Sequence, residues 1–357
     1  MSDQPLLLIG RRRALPLQRW LGGVLLCCLV AGVVGCAGKS DKAGVLAAGR
    51  EARAPDRAEP DNIATGFPAG AEPVGLEFLY VFENERSAPY FPIEGIGGLA
   101  FAPDGTLIFC DEKGGRIHAL DPDGDQWYLF DSSPGRPFRP VDIHVDGFSV
   151  LVLDFGDRLL LRYDMRGVYQ DRLLSFQHLD PVIQRLPTAF DIDRDGRVVV
   201  TDAAEQQVLL LDPFLALTQT LGEPGSHREQ FDEPSGVVFL PDGSFLVADR
   251  GNRRLQKYSR LGYFEQVIGG EFDLDNPFLT PQGLDCDDHG NIFVADPAGS
   301  TVHVLDANLA LLFSVGWKDG LLAAPEIPID VAVGPDDLLA IADRGKQAVL
   351  VYRIVYE

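Results

Sequence analysis

Four aspartates, Asp142, Asp191, Asp285 and Asp330, and three arginines, Arg139, Arg250 and Arg344, are the side chains in this chain best suited to chemistry. Carboxylates brought together repel one another, and the repulsion raises their pKa values or recruits a cation. Ca²⁺ is the ion such a set would favour, because it takes carboxylate and carbonyl oxygens. Guanidinium groups gathered on an acidic protein would form a basic patch for a ligand, unless solvent or neighbouring aspartates occupy them. No Ser–His–Asp arrangement, Gly-x-Ser-x-Gly turn or phosphate-cradling glycine loop is visible, so the sequence assigns no catalytic residue. The six histidines are scattered without metal-ligand spacing; His144 takes the place that Leu240 has in another copy of the repeat described next.

Whether those residues meet depends on what carries them. Residues 231–270 spell out one supersecondary unit. A Pro-x-Gly lead is followed by an apolar run, a Pro-Asp-Gly turn at 241–243, and a second run ending in Val-Ala-Asp at 247–249. A Gly-Asn turn and two further apolar runs complete four short strands joined by turn residues. A four-stranded sheet of this kind has two apolar faces and needs copies of itself to bury them. The copies are present. The Asp that closes the second strand recurs at Asp111, Asp154, Asp202, Asp249, Asp296 and Asp343, 43 to 48 residues apart.

The sixth copy stops after its third strand, while the run Leu76 to Phe82 precedes the first copy without a partner. Placing that run on the sixth sheet closes a ring and removes its open edges. The predicted fold is all-β, a six-bladed β-propeller over residues 73–357 closed by an N-terminal strand. The closing aspartates are too regular to be a site, and capping the following turn is their expected role.

The pattern at 231–264, Phe-x-x-Pro-x-Gly-Val, Asp-Gly, Val-Ala-Asp-Arg-Gly-Asn-Arg-Arg, Tyr, Gly and Phe, resembles an NHL repeat. The resemblance implies an NHL-type propeller and leaves function open, because the scaffold hosts enzymes and binding modules alike. Amidating lyases of the NHL type hold zinc with histidines from the channel. The first ring of inner-strand residues, read as Gly97, Arg139, Thr188, Ser235, Gln282 and Ile329, contains none. Further rings bring in Asp330 and then Asp142, Asp191 and Asp285. Resemblance to propellers of the lactonase and lyase kinds, which hold a central ion, implies Ca²⁺ there. Cys110 and Cys286 fall in apolar slots of blades that are not neighbours, so a disulfide between them is not expected.

The chain has 53 acidic against 31 basic residues and a net charge of −22, which argues against nucleic acid as a partner. Residues 1–35 combine arginines at 11–13 and 19 with a short apolar run, the pattern of an export signal. Val33-Val34-Gly35-Cys36 resembles a bacterial lipobox, which implies cleavage before Cys36, its lipidation, and a place in the cell envelope. Ala37 after that cysteine implies the outer membrane, with the protein facing the periplasm. Residues 36–72, poor in aromatic and β-branched side chains, read as a flexible tether.

The sequence therefore favours a lipid-anchored binding or scaffold module, with a protein partner in the envelope. The alternative is a calcium-dependent lactonase- or lyase-like enzyme working in the channel. The two differ at the channel mouth, where a deep polar pocket favours the enzyme and a flat face the scaffold. Replacing Cys36 by Ser is expected to abolish incorporation of labelled palmitate and to release the chain from the membrane fraction; a membrane-bound, labelled Cys36→Ser protein would refute the lipobox.

Overall fold

The computed structural model describes residues 71–83, 92–121, 127–130, 138–180, 182–316 and 324–356. Cys36, the expected signal peptide at 1–35 and all of the 36–72 tether except residues 71 and 72 lie outside the described residues.

The strands form six antiparallel sheets of four, and five of the sheets take their strands in chain order. The sixth is composite. Its strands Pro328–Gly334, Leu338–Asp343 and Ala348–Tyr356 are completed by Pro73–Glu83, which pairs Leu76 with Ile354 and Phe82 with Val349. The described propeller is thus closed by an N-terminal strand that covers the edge the last blade would leave open.

Local turn chemistry sets the blades. The hairpin after the inner strand turns on Gly105, Gly147, Gly196, Gly243 and Gly290, each at positive φ, a conformation open to glycine without steric cost. The second strand of every blade is almost wholly buried because both its faces meet a neighbour. Ile108 and Cys110 of blade one pack with Ile143, Val150 and Val152 of blade two. Leu246 and Ala248 of blade four pack likewise with Ile292 and Val294 of blade five. The core is therefore a set of wedges between blades.

The closing aspartates do more than cap a turn. All six are buried. Each accepts a backbone N–H from the loop leading into its own blade, from Gly95, Arg139, Leu186, Asp232, Thr280 and Ile327 in chain order, at 2.8–3.0 Å. Five also accept an N–H from the turn ahead, at Gly114, Gly156, Ala204, Gly299 and Gly345. One carboxylate thus ties a hairpin to the start of its own blade. In blade four the bond to the turn is made by the Asn252 side chain, and Arg254 and Gln256 also donate to Asp249. The prominent residues of this blade are the internal wiring of the repeat.

Because Arg254 is itself buried, Asp249→Ala leaves an unpaired buried charge and is expected to cost about 3–5 kcal/mol in urea unfolding. Asp242→Ala, which removes only a turn carboxylate bonded to Ser244, is expected to cost under about 1 kcal/mol. Equal costs for the two would contradict this account.

Candidate functional site

Six inner strands converge on one axis and enclose a cavity of about 590 Å³, a size suited to a small molecule. The rings of side chains on its wall follow from strand pairing. Pro140 pairs with Asp154 as Pro187 does with Asp202, Pro234 with Asp249 and Pro328 with Asp343. The prolines are therefore the common reference, and this corrects the register of blade two expected from sequence. Its ring members are Val141, Asp142 and His144, in place of Arg139, Pro140 and Asp142. Blade two has one residue fewer between its proline and its closing Asp, which accounts for one of the two positions by which its ring members move.

The four channel aspartates consequently lie on two levels. Asp142 and Asp330 stand two residues beyond their prolines, whereas Asp191 stands four beyond Pro187 and Asp285 four beyond Pro281. Among the described residues no group of three or more His, Cys, Asp or Glu is placed to hold a metal ion.

Each carboxylate instead reaches the next blade. Asp142 accepts the N–H of Phe190 at 2.8 Å, Asp191 that of Phe239 at 2.7 Å, Asp285 that of Val333 at 2.7 Å and Asp330 that of Leu99 at 3.0 Å. Their second oxygens are also occupied in three cases, by the N–H groups of Ile143, Ile192 and Cys286. Glycines make the close approach possible. A Cβ on Gly98 would lie 2.6 Å from Asp142 Oδ1, and one on Gly283 2.0 Å from Asp330 Oδ1.

Burial pushes Asp142 and Asp285 up to about 7 against the opposing pull of their backbone hydrogen bonds, and the Asp191 charge adds to the rise in both. Asp330 is also raised, by burial and then by the charge of Asp142. The thiols of Cys110, which is buried, and Cys286, which is partly exposed, are pushed up by burial and these same charges. High thiol pKa values suppress the thiolate, so neither cysteine is poised as a nucleophile.

His144 is the residue the sequence reading missed. Its Nδ1 lies 2.9 Å from Asp191 Oδ1, while Nε2 has no hydrogen-bond partner among the described residues. Burial on its own would depress the imidazole, yet the hydrogen bond and charge of Asp191, with Asp285 and Asp142 behind it, outweigh that and raise its pKa. Asp191 is fixed by two backbone amides, so it holds the ring from a rigid mount. This is the arrangement of a base oriented by a carboxylate. Counting from Pro140 rather than from Asp154 is the signal that would have placed His144 beside Asp191.

Residues that follow the closing aspartates, with others that precede the entry prolines, make the rim. Arg250 and Arg344 line the cavity together with Glu112, Glu233 and Phe155. Arg139 binds Glu112 through two nitrogens and lies over the Phe155 ring at 4.5 Å. Arg344 approaches the same Glu112 at 3.9 Å, and Arg250 pairs with Glu233 at 3.0 Å. Arg250 and Arg344 thus line the cavity and Arg139 does not, and two carboxylates absent from the sequence reading, Glu112 and Glu233, pair with the three.

Residues 231–258 match the NHL repeat family. The chain is 26% identical over 158 residues to the human (Homo sapiens) E3 ubiquitin-protein ligase NHLRC1, covering 40% of this chain and 38% of that protein. It is 35% identical over 134 residues to the Xenopus laevis peptidyl-glycine alpha-amidating monooxygenase A, covering 34% of this chain and 14% of that one. The chain thus spans well under half the length of these relatives. Among solved structures, a streptogramin B lyase superposes with a TM-score of 0.57 at 13% identity, over 80% of this chain and all of that one. A Xanthomonas campestris gluconolactonase gives 0.58 at 18% identity, over 81% and 99%. The structural neighbours of this propeller include lactonase-like and lyase-like enzymes, and at these identities the likeness is one of fold.

The buried carboxylates make a signed prediction for stability. Asp142 and Asp285 keep protons in the fold at a pH where an unfolded carboxylate, with a pKa near about 4, has lost them. Their contribution is full below about pH 4 and is withdrawn as pH rises towards about 7. Asp285→Asn, which stays neutral, is expected to flatten part of that decline in urea midpoints measured from pH 4 to 8. An unchanged slope would show that Asp285 titrates like a free carboxylate.

Proposed function

We propose that the central channel is the active site of a lactonase- or lyase-like enzyme in which His144, oriented by Asp191, moves the proton. The observation that carries this reading is the 2.9 Å contact between His144 Nδ1 and Asp191 inside a cavity of about 590 Å³. A deep polar pocket favours a small substrate over the flat docking face that a scaffold would present. The neighbouring lactonase-like and lyase-like folds support the same choice, as analogy only.

In lactone hydrolysis the step is simple. With Asp191 accepting the Nδ1 proton, neutral His144 offers the Nε2 lone pair. A water oxygen bonds to the acyl carbon while Nε2 takes the water proton. The ring C–O bond then breaks, and the departing oxygen receives that proton from His144. Water supplies the hydroxyl gained by the acyl carbon and the proton gained by the departing oxygen, and His144 ends as it began. An elimination uses the same base on a substrate proton.

The reading extends to location. Export, lipid attachment at Cys36 and an outer-membrane site facing the periplasm form part of the proposal, and their support is the sequence pattern at 33–37.

Hydrolysis of glucono-1,5-lactone and simple aliphatic lactones, followed by pH-stat, tests the reaction. The wild-type rate is expected to rise with pH through an apparent pKa above about 6.5, the ordinary imidazole value. His144→Ala is expected to lower kcat about 10²- to 10⁴-fold, and Asp191→Asn to lower kcat and move the pH limb downward. Identical rates for wild type and His144→Ala across the pH range would end the proposal.

A further inference from the structure

The channel is polarised along its axis, and the polarity bears on the substrate. The upper of the two wall levels carries Asp142 and Asp330 and the lower Asp191 and Asp285, whereas the rim carries guanidinium groups. These rim groups are not equivalent. Arg139 is held by Glu112 through two nitrogens and stacked on Phe155. Arg250 spends one nitrogen on Glu233, and its Nε is enclosed without a partner. Arg344 stands apart. Its guanidinium lies 3.9 Å from Glu112, beyond hydrogen-bond reach, and donates no hydrogen bond among the described residues.

Resting on the reading of the channel as an active site, we infer that Arg344 is a specificity residue that binds a carboxylate at the outer end of the substrate. Three observations carry this. Arg344 lines the cavity and its side chain is 45% exposed, so a ligand can reach it. Its planar fork of donors matches a carboxylate in two parallel bonds, the strongest pairing such a group makes. Glu112 attracts it without hydrogen-bonding it, since Arg139 draws on Glu112 Oε1 while Oε2 stands 3.9 Å from Arg344. Among the described residues the three guanidinium groups of Arg139, Arg250 and Arg344 thus share two carboxylates, Glu112 and Glu233.

The wall sets the other half of the specificity. A second anion on the same molecule would lie among carboxyl groups whose oxygens are committed to backbone amides, next to the charge of Asp191, which repels it. The substrate class is thus a monoanion with its carboxylate outward and a neutral reacting end inward, towards His144. The chain's net charge of −22 disfavours anions at long range, which leaves recognition to contact with the rim.

Calorimetric titration of the full chain at low salt with three probes of one length, hexanoate, hexanamide and adipate, tests the assignment. Hexanoate is expected to bind more tightly than hexanamide, and adipate no more tightly than hexanoate. Arg344→Gln is expected to weaken hexanoate about tenfold or more and to leave hexanamide unchanged, with an unaltered unfolding midpoint. Arg344→Lys, which keeps the charge but not the fork, is expected to restore only part of the loss. Hexanamide binding as tightly as hexanoate, or an equal loss of both in Arg344→Gln, would overturn the inference, and so would adipate binding tenfold tighter than hexanoate. These measurements read binding alone. Arg344-dependent hexanoate binding alongside rates insensitive to His144→Ala would sink the reaction and keep the carboxylate site, and the reverse pattern would do the opposite.

Discussion

Inner-strand amides that face the channel rather than a ladder partner are the constraint on which this molecule depends. An inner strand is the edge of its sheet, and backbone groups left without partners at an edge are costly once buried. Here aspartates supply acceptors across four of the blade junctions, from Asp142, Asp191, Asp285 and Asp330 to the amides of Phe190, Phe239, Val333 and Leu99. The ring is therefore held at its centre by carboxylates and at its circumference by the strand Pro73–Glu83.

That solution has a chemical consequence. Buried carboxylates close to one another keep part of their protons near neutrality, and they raise the pKa of any imidazole among them. His144 stands where it feels Asp191 directly and Asp285 and Asp142 at longer range. The groups that hold the blades together thus also create the electrostatic setting for proton transfer. Stability and the proposed chemistry draw on one set of residues, and substitutions at Asp191 are expected to touch both.

The repeat explains why the most conspicuous stretch is not the site. Asp249, Asn252, Arg254 and Gln256 form a closed network within blade four, down to the bonds of Arg254 to the carbonyls of Ser226, His227 and Gln230. What is particular to this chain lies where the copies differ: His144 in the channel, and Glu112, Arg139 and Arg344 at the mouth.

The sequence by itself determined the number of blades, their strand order, the closure by the N-terminal run and the turn-capping role of the closing aspartates. Those features rest on turn residues and on alternation within a few positions, which are local and repeat. The tertiary structure alone decided which side chains meet. His144 stands four residues beyond Pro140 as Asp191 does beyond Pro187, and the hairpin of blade two, one residue shorter between Val145 and Val150, hides this from a count made at Asp154. Likewise the sharing of Glu112 between Arg139 and Arg344 joins three blades, and no spacing within one blade encodes it. Contacts between inner strands depend on bulges and on how the ring closes, so the fold was legible from local chemistry and the site only from the closed ring.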